Sequence, residues 1–190
     1  MNTDKIGLTL CGIFLPLFLL LFSYQLTLAL YPLTPAQENT LQFLQGGTVT
    51  LNYIVAEISH LEDVAEVMKG VHFLSYASGI IILFLVLHSW KDKIQLQKLI
   101  RYGGMATIIV IALILLLILF NFHSFFTIFH QIFFPQGNWQ FAADSLLIQT
   151  FPIEFFVKIS IAIFALTLLL GSLFILLSVY LKHGHTNKGN

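Results

Sequence analysis

Four apolar runs, each close to the roughly 20 helical residues that cross a hydrocarbon core, divide this chain into alternating apolar and polar segments. They extend from Ile6 to Leu30, from about Val71 to Leu87, from Met105 to Phe126 and from Ile159 to Leu181. In lipid the backbone must satisfy its own hydrogen bonds, so each run reads as a helix and the chain as an all-α integral membrane protein with four transmembrane helices. Composition agrees. The 190 residues are 57% hydrophobic and only 9% charged, and a mean hydropathy of +0.88 is far above that of a soluble domain. That length leaves room for a single membrane domain, residues 1–190, with one modest cap and no separate soluble unit. A net charge of zero, with no run of Lys or Arg, gives no basis for a nucleic-acid partner.

The first run exceeds a signal-peptide core and three more spans follow it, so it is read as retained. The second is the least apolar; Ser75, Tyr76, Ser78 and Gly79 suit a helix packed against neighbours rather than lipid. The lone Cys11, inside the first run, excludes an intrachain disulfide and reads as a buried, inert thiol.

Orientation follows from the basic residues. Lys5, then Lys91, Lys93, Lys98 and Arg101, then Lys182 and Lys188 fall on one side, against Lys69 and Lys158 near the other. The positive-inside rule then places both termini and the middle loop in the cytoplasm. Segments 31–70 and about 127–158 face outward together as a cap, which also carries Glu38, Glu57, Glu62, Asp63, Glu66, Asp144 and Glu154.

Local signals resolve parts of that cap. Thr34, Pro35 and Gln37 form a capping-box pattern with Pro at the first helical position, and Gly46 with Gly47 supplies a stop, so a short helix is expected from Pro35 to about Leu44. The β-branched stretch Thr48 to Val55 predicts a strand, completing a short β-hairpin in the cap. From Glu57 onward, Val64, Val67, Met68 and Val71 recur at helical spacing.

The chemistry-bearing residues lie in the same two segments. Glu57, His60 and Asp63, three apart, are expected on one helix face, with the carboxylates orienting the imidazole. His130 follows the third span by a few residues. Eleven of the 19 Phe residues fall between Phe120 and Phe156. Such density beside Asn138 and Trp139 points to an enclosed aromatic pocket, with Phe129, Phe133, Phe134 and Phe151 as its candidates. One geometric obstacle stands in the way. A straight helix at ~1.5 Å per residue would hold His60 roughly 20 Å above the start of the second span. A two-histidine site therefore requires either that the span begin nearer Val64 or that the helix bend near Gly70.

HLEDV at His60 to Val64, FHQIFF at Phe129 to Phe134, Trp139, and FPIEFF at Phe151 to Phe156 resemble the motifs of the bacterial lipoprotein intramolecular transacylase family. The resemblance covers about Glu57 to Phe156. It implies four spans with an outer cap, in the bacterial cytoplasmic membrane. The implied reaction moves the sn-2 acyl chain of a diacylglyceryl lipoprotein to the α-amino group of its N-terminal cysteine, leaving a lyso-form product. His60 and His130 match the family's catalytic pair. The chain departs from the pattern at Ala65, where a basic residue is common, at Asp144 and Ser145, where the acid is displaced by one residue, and at Glu154, one position late.

Independently of the resemblance, ester-to-amine transfer needs a base, an acid and confinement of both ends of one substrate, which two histidines and an aromatic wall supply without metal or organic cofactor. The expected partners are the diacylated lipoprotein and membrane lipid. Two other readings compete. Glu57, His60, Asp63 and His130 offer N and O ligands for Zn²⁺ in a membrane lipid hydrolase, although the HExxH pattern is lacking. A non-enzymatic assembly or transport subunit is the other, against which the spans show few ionisable groups. No G-x-S-x-G elbow points to a serine acyl-enzyme. His72 and His123 read as interfacial packing residues, His88 and Trp90 as inner-boundary residues, and His183 with His185 as a disordered tail. Gly103 and Gly104 are expected to turn the chain into the third span.

Overall fold

A computed structural model of the chain describes residues 3–186. It contains seven helices in this order: α1 Thr3–Leu30, α2 Pro35–Leu44, α3 Val55–His88, α4 Lys93–Phe120, α5 Phe122–Phe133, α6 Leu146–Thr150 and α7 Ile153–Thr186. Four of them, α1, α3, α4 and α7, are long and apolar enough to cross a membrane. The short helices α2, α5 and α6, with the first turns of α3, form a cap at one end.

Helix α1 packs against α3, α4 and α7, and α4 and α7 share the most extensive contact. The core at α1 is built from Cys11, Leu15, Leu19, Ile82, Leu85 and Leu99, and the Cys11 thiol donates to the Leu99 carbonyl at 3.3 Å. Association inside lipid relies on close packing rather than on expulsion of water, so small residues decide how near two helices come. Gly103 and Gly104 do this rather than turn the chain, since both lie well inside α4. A methyl group on Gly103 would stand 2.6 Å from Leu15, and one on Gly104 2.9 Å from the Gly171 carbonyl oxygen of α7. Ser75 and Ser78 are buried as their composition implied, whereas Tyr76 is exposed. Ser78, Thr107, Thr167 and Ser178 return their hydroxyls to carbonyls of their own helix, so burial leaves none of them unsatisfied.

The long helices overrun the apolar runs. Helix α3 has 34 residues, about 51 Å at 1.5 Å per residue, against a hydrocarbon core of about 30 Å. Its charges, Glu57, Glu62, Asp63, Glu66 and Lys69, all precede Gly70, and residues 71–87 carry none. Residues 55–70 are therefore a charged helical extension beyond the apolar run. Helix α4 likewise begins at Lys93 and ends at Phe120, short of the expected Phe126. At the far end α7 stays helical to Thr186, taking in the segment expected to be a disordered tail; Lys188 lies outside the described residues.

In the cap, α2 forms as the capping signals dictate. Thr34 Oγ1 accepts from the Gln37 amide at 3.3 Å, Gln37 Oε1 accepts from the Thr34 amide at 3.0 Å, and Gly46 stops the helix at φ 94°. The expected strand at Thr48 to Val55 does not form, and no strand occurs among the described residues. With no second strand beside it, the stretch satisfies itself otherwise. The Thr50 amide donates to Asn39 Oδ1 at 2.9 Å, and the Tyr53 hydroxyl joins Thr40 at 2.8 Å and Thr150 at 3.3 Å. The Gln37 side chain donates to the Thr150 carbonyl at 2.9 Å, so this polar knot ties α2 and the loop to α6. Beside it Leu44, Leu61, Met68 and Leu147 form a second apolar core, with Phe141 and Phe151 packed against it.

Candidate active site

The obstacle to joining His60 and His130 is removed from the side of the third span. Helix α3 is helical through Gly70. At Asn121 the backbone leaves helical geometry (φ −163°, ψ 89°), the Asn121 side chain caps a new helix by accepting from the Ser124 amide at 3.0 Å, and α5 carries His130 a further two turns onward. The two imidazoles meet with ring centroids 6.3 Å apart and planes inclined by 28°.

Each ring is held differently. His130 Nδ1 lies 2.8 Å from the Phe126 carbonyl one turn back, which requires the proton on Nδ1 and leaves Nε2 as the basic nitrogen. Phe126 at 4.0 Å and Trp139 at 4.8 Å flank its ring, with Phe129 at 5.4 Å and Phe134 at 5.5 Å. His60 is buried against Phe134 at 4.8 Å and Phe141 at 5.7 Å. Its Nδ1 is buried with no hydrogen-bond partner.

The segment after α5 brings the polar groups in. Phe134 is buried, and the Gly137 amide donates to its carbonyl at 3.1 Å across a tight turn. Gly137 takes φ +79°, a left-handed conformation that a side chain would strain, and the reversal returns Asn138 and Trp139 to the histidines. Asp63 Oδ2 then accepts from Asn138 Nδ2 at 2.6 Å and from Gln136 Nε2 at 2.7 Å.

Glu57 does not orient His60. Its carboxylate, 1% exposed, accepts from the Ile54 amide at 2.9 Å and from the Leu147 amide at 2.8 Å, clamping the first turns of α3 and α6 together. The reason is helical geometry: a spacing of three falls about 60° short of a full turn, so Glu57, His60 and Asp63 fan out instead of stacking. Ser145, at the position where the motif places an acid, caps α6 by accepting from the Ile148 amide at 3.4 Å.

Of the aromatic candidates, Phe129, Phe134 and Trp139 touch the histidines. Phe133 lies tilted against Phe129, its one ring neighbour among the described residues, and Phe151 belongs to the second apolar core, with Phe155 and Phe156 as its ring neighbours. Phe126 and Phe141 are in the site without having been singled out. Phe126 was within reach, four residues before His130 on a helix; Phe141, in an irregular stretch, had no local signal. His72 lines a separate groove of about 490 Å³ between α1, α2 and α3. A hollow of about 310 Å³ opens beside the histidines and shares Phe134 and Trp139 with them.

Burial in this aromatic surround lowers the His60 pKa from 6.5 to about 4, and the neighbouring His130 adds to the fall; Asp63 and the Asn138 amide pull the other way. Burial lowers the His130 pKa too, opposed by the Phe126 carbonyl. Both rings are thus neutral near pH 7. Among the described residues no three His, Cys, Asp or Glu side chains converge as a metal-ligand set, and the two Glu57 oxygens face backbone amides.

The geometry fits comparisons with known proteins. No curated protein sequence matches the chain. Its fold superposes on the membrane-integral lipoprotein intramolecular transacylase Lit from Bacillus cereus with a TM-score of 0.78 at 18% identity, covering 96% of this chain and 97% of that one. Two structures of that protein with a histidine substituted also match. The alanine form gives a TM-score of 0.82 at 19% identity over 96% and 95% of the chains, and the arginine form 0.76 at 18% over 97% and 94%. Likeness at that identity speaks for the fold; the sequence speaks for the family, because residues 34–156 match the model of the lipoprotein intramolecular transacylase Lit. Cap and site alike fall within the matched stretch, and the chain belongs to the lipoprotein intramolecular transacylase family.

Proposed function

We propose that His60 and His130 together carry the acyl transfer, and that the acyl chain moves from the sn-2 oxygen of a diacylglyceryl lipoprotein to the α-amino group of its own N-terminal cysteine. The observation that carries this is the pair itself: two imidazoles with ring centroids 6.3 Å apart in an aromatic surround, neither Nε2 engaged by another described residue. An α-amino group has an ordinary pKa near ~8, so the nucleophile arrives mostly as an ammonium ion. Two protons must then leave its nitrogen before the amide is complete. One imidazole takes the first and frees the lone pair for attack on the ester carbonyl. The second proton is lost from the tetrahedral intermediate to the other imidazole.

As the carbon–oxygen bond to the glyceryl group breaks, one imidazolium protonates the departing oxygen. The other releases its proton to water, which regenerates the pair. His60, the more deeply buried, is the donor to the glyceryl oxygen, and half-buried His130 exchanges with solvent. Rate comes from confinement, since nucleophile and ester belong to one molecule. The Phe126, Phe129, Phe134 and Trp139 rings exclude water that would hydrolyse the ester instead. The charge pattern supports an outer-face site, with both termini in the cytoplasm.

Mass spectrometry of a lipoprotein N-terminal peptide from cells expressing the protein tests the proposal. The wild type yields an N-acylated cysteine bearing a monoacyl glyceryl group. His60→Ala and His130→Ala each yield unchanged diacylglyceryl peptide, a loss of about a hundredfold or more. Normal product from either variant refutes the two-histidine assignment.

A further inference from the structure

We propose that Asn138, held by Asp63, is the positioning residue for His60: it fixes the tautomer and steadies the imidazolium as the proton arrives. This rests on the two-histidine reading above. Asp63 Oδ2 can only accept, and it takes Asn138 Nδ2 at 2.6 Å. That bond dictates which way the amide points, so Asn138 Oδ1 faces inward. There it is buried and unpartnered, and so is His60 Nδ1. The two orphans are complementary in one arrangement alone, with the proton on Nδ1 and the amide oxygen as its acceptor. Asn138 is also a side-chain hydrogen-bonding neighbour of His60 that favours its protonated form, so pairing the two orphans completes a line from carboxylate to amide to imidazole.

Chemically the line does what an orienting carboxylate does in hydrolytic triads, one group removed. It leaves Nε2 as the base and gives the ring a polarised acceptor when it becomes cationic, without placing a full negative charge in contact with it. The amide passes no proton; the proton that His60 takes from the substrate nitrogen leaves again through Nε2 to the glyceryl oxygen. Asn138 and Asp63 both favour protonated His60. The titratable groups acting on His60 are Asp63 on its own helix and His130 on α5, while the segment packed over the ring supplies Phe134, Phe141 and Asn138, none of them ionisable.

Full-length protein in detergent, given a diacylglyceryl lipopeptide, provides the test. Asn138→Ala lowers kcat about a hundredfold with KM little changed. Asp63→Asn, isosteric and therefore folded, lowers kcat in the same direction. NMR of isotope-labelled histidine, with His60 identified by its loss in His60→Ala, reads the ring directly. Wild type shows the Nδ1–H tautomer, and in both variants that preference is lost and the titration midpoint moves to lower pH. If instead Asn138→Ala and Asp63→Asn raise KM alone and leave the tautomer and midpoint in place, Asn138 is a pocket residue and the relay is refuted, while an inactive His60→Ala keeps the two-histidine reading intact. Full activity in His60→Ala removes both.

Discussion

Glu57 shows how a carboxylate beside a catalytic candidate can serve the fold instead. It is almost wholly buried and both oxygens accept backbone amides, from Ile54 and Leu147. Hydrogen bonds to a charged group are worth about 1.5–3 kcal/mol each, and deleting the acceptor loses the part-buried bond from Ile54 and strands the buried Leu147 amide. Glu57→Ala is therefore expected to destabilise the protein by about 3–5 kcal/mol, read as a fall in thermal midpoint in detergent, with activity lost through displacement of α6 rather than through the imidazole. His60 has its own signature in stability. Its folded pKa of about 4 lies below the ordinary 6.5, so the native state favours the neutral ring. As pH falls through 6.5 the unfolded chain takes up the proton first, and stability declines until about pH 4, where the native ring titrates too. Because solvent near the cap screens part of the shift, the loss is on the order of 2 kcal/mol. A His60→Gln protein should show a flatter stability profile between those limits. At this scale the sequence was legible in picking out His60 and His130, two histidines from separate segments whose rings the fold brings to 6.3 Å. It was silent on Glu57 because a hydrogen bond from Leu147, 90 residues away, is invisible to spacing along one helix.

Elements were legible in proportion to how local their causes are. Helix α2 begins at Pro35 and ends at Leu44 as expected, because Thr34, Gln37 and Gly46 act within a turn of each end. The strand at Thr48 to Val55 failed for the complementary reason. β-branched residues favour an extended backbone, but a strand needs a partner strand for its hydrogen bonds, and here the Thr50 amide turns instead to Asn39 of α2 while the Tyr53 hydroxyl bridges to Thr40 and Thr150. The long helices run beyond the apolar stretches that mark the spans, since a helix continues wherever caps and packing allow it. The glycines of α4 were assigned to a turn because a GG pair gives the same local signal in a turn and in a helix–helix contact. Their role makes a prediction at this scale. Gly104→Val would drive a branched side chain into the Gly171 carbonyl and Ile175 of α7. Overpacking of this kind costs about 1–3 kcal/mol, so the thermal midpoint should fall, whereas Gly70→Ala on the open face of α3, with nothing within 4 Å, should not lower it.

At the scale of the whole molecule, one end of the bundle carries the cap and both histidines, and the other carries the loop between α3 and α4. The first holds Glu38, Glu57, Glu62, Asp63 and Glu66, while the second holds Lys91, Lys93, Lys98 and Arg101. That asymmetry predicts which end faces the cytoplasm. It also bears on the proposed reaction, because the site can meet only a substrate presented on its own side of the membrane. The native Cys11 is buried and silent toward a polar thiol reagent, so single added cysteines report position cleanly. Glu62→Cys and Lys91→Cys both fall on exposed residues at opposite ends. A membrane-impermeant maleimide applied to intact cells should label Glu62→Cys and spare Lys91→Cys, and permeabilisation should make both reactive. The reverse pattern would turn the site toward the cytoplasm and overturn the outer-face assignment.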